Sequence, residues 1–349
     1  MNGREAAVGP GAMRRRWKTG AIFAGALVAA AGLFTAAAGL WAAPDPPAGG
    51  SAAAPAPTHA PPSPSAARPA SGPSAPAPLT VYFLEVGHGD ATVITTPGGR
   101  CVVIDAAGGR VGGEAVLSLL RRKGIKRIDT LVMSHADSDH IGGMPDILRS
   151  GIEVGEFLDP GYPHTTQLYA RVLKAVKDRP GTRYRTAKAG DLLDWGKELT
   201  VRVVNPFPNP KNSNDSSIVI QLHYGRVAFL FTGDAGSRVE RKMVARSGGG
   251  LRSQVLKVAH HGSKSSSSAP FLRCVRPEIA VVSTNSASAD GPYKETIDRL
   301  RAVGAKVYQT GRYGMITVES DGKGYRLAKE REPEKREAPV PAPVAAAHP

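Results

Sequence analysis

The chain has 349 residues and carries 45 Lys/Arg against 30 Asp/Glu, a formal net charge of +15 that suits contact with phosphates or an anionic envelope as readily as plain solubility. Its two cysteines, Cys101 and Cys274, lie in different apolar surroundings, which excludes a disulfide framework or a thiolate metal site. Any metal must be held by histidines and carboxylates.

In chain order, residues 1–20 form a basic segment with Arg14, Arg15, Arg16 and Lys18, and the run 21–43 holds neither charge nor proline. Spanning a bilayer takes roughly 20 apolar residues, so 21–43 reads as a transmembrane anchor or signal sequence. The flanking cations keep residues 1–20 in the cytoplasm and place everything after Pro44 outside it, with a secreted or periplasmic product if the N-terminus is cleaved. Residues 44–78, almost entirely Ala, Pro, Ser and Gly, cannot bury enough apolar surface to fold and read as a disordered linker. The charged and Pro/Ala-rich stretch 327–349 reads as a disordered tail. The head carries six Lys/Arg against two Asp/Glu and the tail four of each, which leaves +11 of the total +15 to residues 79–326, the one expected globular domain.

Within that domain, strand-like runs fall at 81–86, 91–95, 101–104 and 131–133, with a helical pattern at 113–122. The second half repeats the theme, with strands at 199–204, 217–222, 227–231, 255–258 and 279–282 and helices at 142–149, 167–177, 237–245 and 294–303. The pattern suits an α/β (α+β) sandwich of two mixed sheets covered by helices, with chemistry on loops leaving strand ends. A doubly wound sheet satisfies the pattern as well.

Directly after the 131–133 strand comes Ser134-His135-Ala136-Asp137-Ser138-Asp139-His140, four metal-capable side chains within six residues. A solvated loop accumulates Asp and Ser, but alternating His and Asp this tightly behind a buried strand points to a cation pair. Asp234 emerges behind the apolar 227–231 strand, where alone it would be a turn residue or helix cap. The 255–258 strand ends in His260-His261-Gly262-Ser263; one imidazole can ligate while the other donates to substrate or orients a carboxylate, and the sequence does not choose.

The ordered set His135-x-Asp137-x-Asp139-His140, Thr232-Gly233-Asp234 and His260-His261-Gly262-Ser263 resembles the metallo-β-lactamase superfamily, most closely the soluble domain of ComEC-type competence proteins. Glu85 to Asp90, Ile104-Asp105-Ala106, Asn214 to Ser217 and Thr310 to Gly314 add to the likeness, which spans most of residues 79–319. It implies an αββα four-layer sandwich and two divalent ions, Zn²⁺ or Mn²⁺, that activate water for hydrolysis. By position, His135 and Asp137 resemble ligands of a first ion, Asp139 and His140 those of a second, and Asp234 the bridging carboxylate, with His260 or His261 completing the second set. Asp139 and His261 resemble the catalytic pair, Asp139 orienting or deprotonating the water.

Three departures from the superfamily pattern stand out. Asp137 replaces the usual second His of the opening motif, as in ComEC-like members. The middle His ligand has no counterpart, its place falling near Asp215 and Ser216. Asp290-Gly291-Pro292 stands where a Gly-His-Pro is common. Candidate substrate contacts are His88, Asp215, Ser216, Ser263 and Lys264.

The expected function is an extracytoplasmic metal-dependent phosphodiesterase or nuclease acting on DNA, whose backbone charge the basic core attracts. The alternatives are a hydrolase of small phosphoesters or envelope components, and a tethered DNA-binding module without catalysis.

Overall fold

The computed structural model describes residues 77–285 and 292–332. The expected basic segment, the apolar run 21–43 and nearly all of the linker lie outside the described residues, as do the stretch 286–291 and the tail beyond 332. No helix among the described residues is long and apolar enough to cross a membrane.

The elements in order are β1 (Leu79–Phe83), β2 (Thr92–Thr95), β3 (Cys101–Ile104), α1 (Gly109–Arg122), β4 (Arg127–Val132), α2 (Ser138–Ile141), α3 (Met144–Arg149), β5 (Glu153–Asp159), α4 (Gln167–Lys177), β6 (Arg183–Thr186), β7 (Leu192–Leu193) and β8 (Leu199–Asn205). They continue with β9 (Val219–Tyr224), β10 (Val227–Phe231), α5 (Ser237–Ser247), β11 (Val255–Lys257), α6 (Ala269–Val275), β12 (Ile279–Val282), α7 (Lys294–Ala302), β13 (Lys306–Gln309), α8 (Thr310–Tyr313), β14 (Ile316–Ser320) and β15 (Tyr325–Lys329). Eight strands form one sheet in the order β15-β14-β1-β2-β3-β4-β5-β6, and seven form the other, β13-β12-β11-β10-β9-β8-β7. Two separate sheets rule out the doubly wound alternative.

Side chains alternate across each strand, and here both faces are apolar because both are covered. In β1, Leu79, Val81 and Phe83 enter the core between the sheets while Tyr82 turns outward; in β10, Val227, Phe229 and Phe231 enter it and Leu230 turns outward. The outward face of the first sheet is packed by Val116 and Leu119 of α1, Ile147 of α3 and Val172 of α4. The outward face of the second is packed by Val239 and Met243 of α5, Phe271 of α6 and Leu300 of α7. The layers therefore run helix, sheet, sheet, helix, as the sequence predicts.

Two parallel stretches set the stage for chemistry. β3, β4, β5 and β6 run parallel, as do β10, β11, β12 and β13. Their register pairs Ile104 with Val132 and Phe231 with Lys257, so the loops that follow β3, β4, β10 and β11 leave side by side. The last strand, β15, runs to Lys329, past the boundary expected at 326, because Leu327 packs against the core between the sheets and β15 pairs with β14.

Candidate metal centre

Asp105 leaves β3 in the left-handed region (φ 59°) and organises the loop behind β4. One carboxylate oxygen accepts the Ser134 backbone N–H at 2.8 Å, and the other accepts the Ser134 hydroxyl at 2.6 Å and lies 2.8 Å from His140 Nδ1. Asp105 is buried, so its carboxylate fixes the proton of His140 on Nδ1 and turns Nε2 inward. The Ser134 hydroxyl, having donated to Asp105, accepts from His135 Nδ1 at 3.1 Å, which turns His135 Nε2 inward too.

Asp234 follows Gly233, whose φ of 49° and close approach explain the glycine: a Cβ there would stand 3.0 Å from that of Ser217 and 3.1 Å from that of Ser134. The Asp234 N–H donates to Ser217 Oγ at 3.0 Å, leaving the carboxylate aimed into the site. Its Oδ1 lies 3.2 Å from His140 Nε2, and its Oδ2 lies 3.8 Å from Nε2 of each of His135, His260 and His261.

The adjacent histidines both adopt left-handed backbone (φ 50° and 49°), which splays their rings 6.3 Å apart at 81°. His261 is buried; its Nδ1 donates to the Ser283 carbonyl at 2.9 Å, and its Nε2 lies 3.1 Å from Asp139 Oδ2. His260 is half-buried, with Asn214 Nδ2 donating toward its Nδ1 at 3.5 Å. The choice left open in the sequence is therefore structured: His261 joins the Asp139 and His140 group, and His260 faces the outer side of Asp234.

Ligand atoms of Asp139, His140, Asp234 and His261 all lie within 4.8 Å of one another. His135 Nε2 stands 3.5 Å from Asp137 Oδ2 and 3.8 Å from Asp234 Oδ2. His135 Nε2 is buried without a hydrogen-bond partner, and buried His140 Nε2 and Asp234 Oδ1, 3.2 Å apart, have only each other. Such an orphan costs about 1–3 kcal/mol, and a cation beside it removes that cost. The donor set fits divalent metal.

The charges agree. Burial opposes ionisation of Asp234, yet His140 and His261 hold its carboxyl well below the usual range. Burial likewise opposes charging His261, but Asp234 and Asp90 push it up to about 10. Burial opposes ionisation of Asp139, which the His261 hydrogen bond and His140 nonetheless pull down to about 2. His140 is raised well above the ordinary imidazole value, Asp234 and Asp105 outweighing its burial. The ionised carboxylates thus make a site of negative potential that holds its rings protonated, and a cation binds there by displacing those protons.

Of the remaining candidates, His88 lies at the site, its Nε2 3.4 Å from Asp139 Oδ2 and its ring 4.5 Å from that of His261. Asp215 and Ser216 are both buried, and each has partners within the protein. Asp215 pairs with Arg238 and accepts the Lys211 N–H, while the Ser216 hydroxyl donates to the Ser213 carbonyl. Ser263 and Lys264 sit on the loop behind His261, where Ser263 Oγ bonds Ser265 Oγ at 3.0 Å and exposed Lys264 pairs with Glu295 at 3.2 Å. The Asp290 to Pro292 departure falls mostly outside the described residues.

Sequence reasoning gave no role to Asp90, Asp105, Lys257 or His164. Asp105 and Asp90 stood in motifs, each directly behind or before a strand, and carboxylates at strand ends were the available signal. Gly89 fits that turn closely: at φ 117° a Cβ would fall 2.3 Å from the Asp139 carbonyl, the acceptor of the Asp90 N–H.

A family model described as the metallo-beta-lactamase superfamily matches residues 84–286, and the chain belongs to that superfamily. Fold and site together make it a metal-dependent hydrolase of that class. Among curated proteins it is similar to ComE operon protein 3 of Bacillus subtilis, 28% identical over 254 residues, 68% of this chain and 32% of the relative. It is also similar to competence protein ComA of Neisseria gonorrhoeae, 31% identical over 70% of this chain and 32% of the relative. Recombination protein 2 of Haemophilus influenzae is 31% identical over 67% of this chain and 28% of the relative. These are the ComEC-type relatives that the motifs imply, and the chain spans about a third of the length of each.

Proposed function

We propose that the protein is an extracytoplasmic phosphodiesterase that cuts DNA with two divalent ions, Zn²⁺ or Mn²⁺, tethered to the membrane through residues 21–43. The observation that carries this reading is the shared position of Asp234, one oxygen turned to His140 and the other equidistant from His135, His260 and His261. His135, Asp137 and Asp234 would hold the first ion; Asp139, His140, Asp234 and His261 the second. Three carboxylates among the donors suit Mn²⁺ as well as Zn²⁺.

Divalent ions held there supply a Lewis acid and lower the pKa of water. The chain's own groups do the rest. Asp139, partly exposed and held charged, orients the attacking water. His260 and His88, both partly exposed at the rim, offer donors to the phosphoryl oxygens as charge develops on them. Asp105 and the Ser283 carbonyl hold the His140 and His261 rings in orientation throughout.

DNA as substrate is supported by the +11 charge of residues 79–326 and by relatives whose names link them to competence and recombination. The apolar run 21–43 behind four cations supports membrane attachment with the enzyme outside the cytoplasm.

The test is hydrolysis of linear DNA by the full chain, stripped and reloaded with Mn²⁺ or Zn²⁺, beside a small chromogenic phosphodiester and a chromogenic cephalosporin. The reading predicts strand scission that chelator abolishes and that Asp139→Ala lowers about 10²-fold. Turnover of the small phosphodiester or the cephalosporin with DNA left intact would refute it. Recovery of the chain from the soluble cytoplasmic fraction would refute the tether.

A further inference from the structure

On the first-ion side, His135 stands beside the half-exposed carboxylate of Asp137. A second imidazole faces that carboxylate. His164, on the loop between β5 and α4, brings Nε2 to 3.8 Å from Asp137 Oδ1, while His135 Nε2 stands 3.5 Å from Asp137 Oδ2. Asp137 is thus flanked by two rings, one on each oxygen.

The tautomer of His164 follows from Thr166. The Thr166 backbone N–H points at His164 Nδ1 from 3.4 Å, and its hydroxyl lies 3.1 Å from the same nitrogen. That hydroxyl already accepts the Tyr169 N–H at the start of α4, so its own hydrogen is free to turn to Nδ1. Two donors converge on Nδ1, which leaves the ring proton on Nε2, the nitrogen facing Asp137. The Tyr169 ring packs edge-on against the imidazole at 6.2 Å, and Tyr169 is itself held by a hydrogen bond from its hydroxyl to Asp159 at 3.3 Å. The ring is built in, not a loose surface histidine: its side chain is 22% exposed.

The geometry points to His164 as a positioning residue whose Nε2–H faces Asp137 Oδ1 from 3.8 Å and steers that carboxylate as a ligand of the first ion. A carboxylate on a half-exposed loop samples several rotamers, and a fixed donor on one oxygen presents the other to the metal. This rests on the two-ion reading above.

The experiment is titration of the metal-stripped full chain with Zn²⁺ by calorimetry, with bound metal counted by elemental analysis. Wild type is expected to bind two ions. His164→Ala should weaken one of the two steps by roughly 10–100-fold and leave the other within twofold. His164→Gln, whose amide nitrogen can stand where Nε2 stands, should recover most of the loss. In an Asp137→Ala background, His164→Ala should add no further loss, since the ring acts through that carboxylate. Two unchanged binding steps in His164→Ala would overturn the proposal and leave the two-ion reading standing. A glutamine variant as weak as the alanine one would overturn it in favour of direct ligation by the ring. Wild type that takes up fewer than two ions would overturn the two-ion reading itself, and this proposal with it.

Discussion

Lys257 and Asp90, both almost wholly buried, meet at 2.8 Å directly beneath the metal-facing histidine: Asp90 Oδ1 lies 3.4 Å from His261 Nδ1. The Lys257 ammonium also donates to the Val258 carbonyl at 3.0 Å. Burial opposes ionisation of Asp90, yet Lys257 and His261 hold its carboxyl far below the usual range. The pair joins β11 to the loop before β2.

Breaking one side of a buried pair strands the other charge, at a cost of about 3–5 kcal/mol. Lys257→Met should therefore lower the free energy of unfolding by roughly that amount, and Lys257→Met with Asp90→Asn should lose less than Lys257→Met alone. Denaturant unfolding of the three chelated proteins measures both. A single variant as stable as wild type would show the pair to be inert.

The metal-free protein should have a pH profile set by the site. The His261 pKa is about 10 in the fold against an ordinary 6.5, so its contribution is complete below 6.5 and is lost as pH rises through 10. Asp139 is near 2 against 3.8, so its contribution holds above 3.8 and is lost as pH falls toward 2. The melting temperature of chelated protein should fall between pH 6.5 and pH 10, which differential scanning fluorimetry reads directly.

Metal reverses that slope. Binding requires neutral imidazoles, and both His140 and His261 are held protonated in the metal-free site. Each proton displaced raises apparent affinity by about tenfold per pH unit. Competition titrations with a chelating dye between pH 6 and 8 should show tighter binding at higher pH, with protons released into weak buffer. Affinity independent of pH would mean that these rings are not the ligands.

Asp105 orients two site groups at once, His140 and Ser134. Asp105→Ala should therefore lower metal affinity or hydrolysis by roughly 10–100-fold while touching neither ion nor substrate. Asp105→Asn, which keeps an acceptor for the His140 Nδ1–H, should lose less. Equal losses in the two variants would point to charge, not orientation, as its contribution.

The legible parts of this protein are those whose pattern is local. Strands such as Cys101–Ile104 and Val227–Phe231 are short apolar runs covered on both faces, and their bounds follow from the sequence directly. The run Glu153–Asp159 is a strand despite two glutamates and a glycine, and its neighbour Arg183–Thr186 is a polar edge; neither carries a two-residue apolar alternation. β13 and β15 were equally hidden, being partly exposed edge strands that rely on pairing more than burial, while β14 went unread although Ile316 and Val318 alternate into the core. The metal-facing residues were readable because His and Asp crowd into three short motifs at strand ends. What supports them was not: His164, Lys257 and Asp90 act across distances in sequence that only the folded chain closes. For the same reason only the fold shows the partners of Asp215 and Ser216, Arg238 and the Ser213 carbonyl.

The central claim is that Asp234 serves both ions. Elemental analysis of the full chain after loading with excess Zn²⁺ and gel filtration tests it most directly. Two ions per wild-type chain and fewer than one per Asp234→Ala chain is the predicted result. Two ions retained by Asp234→Ala would contradict it.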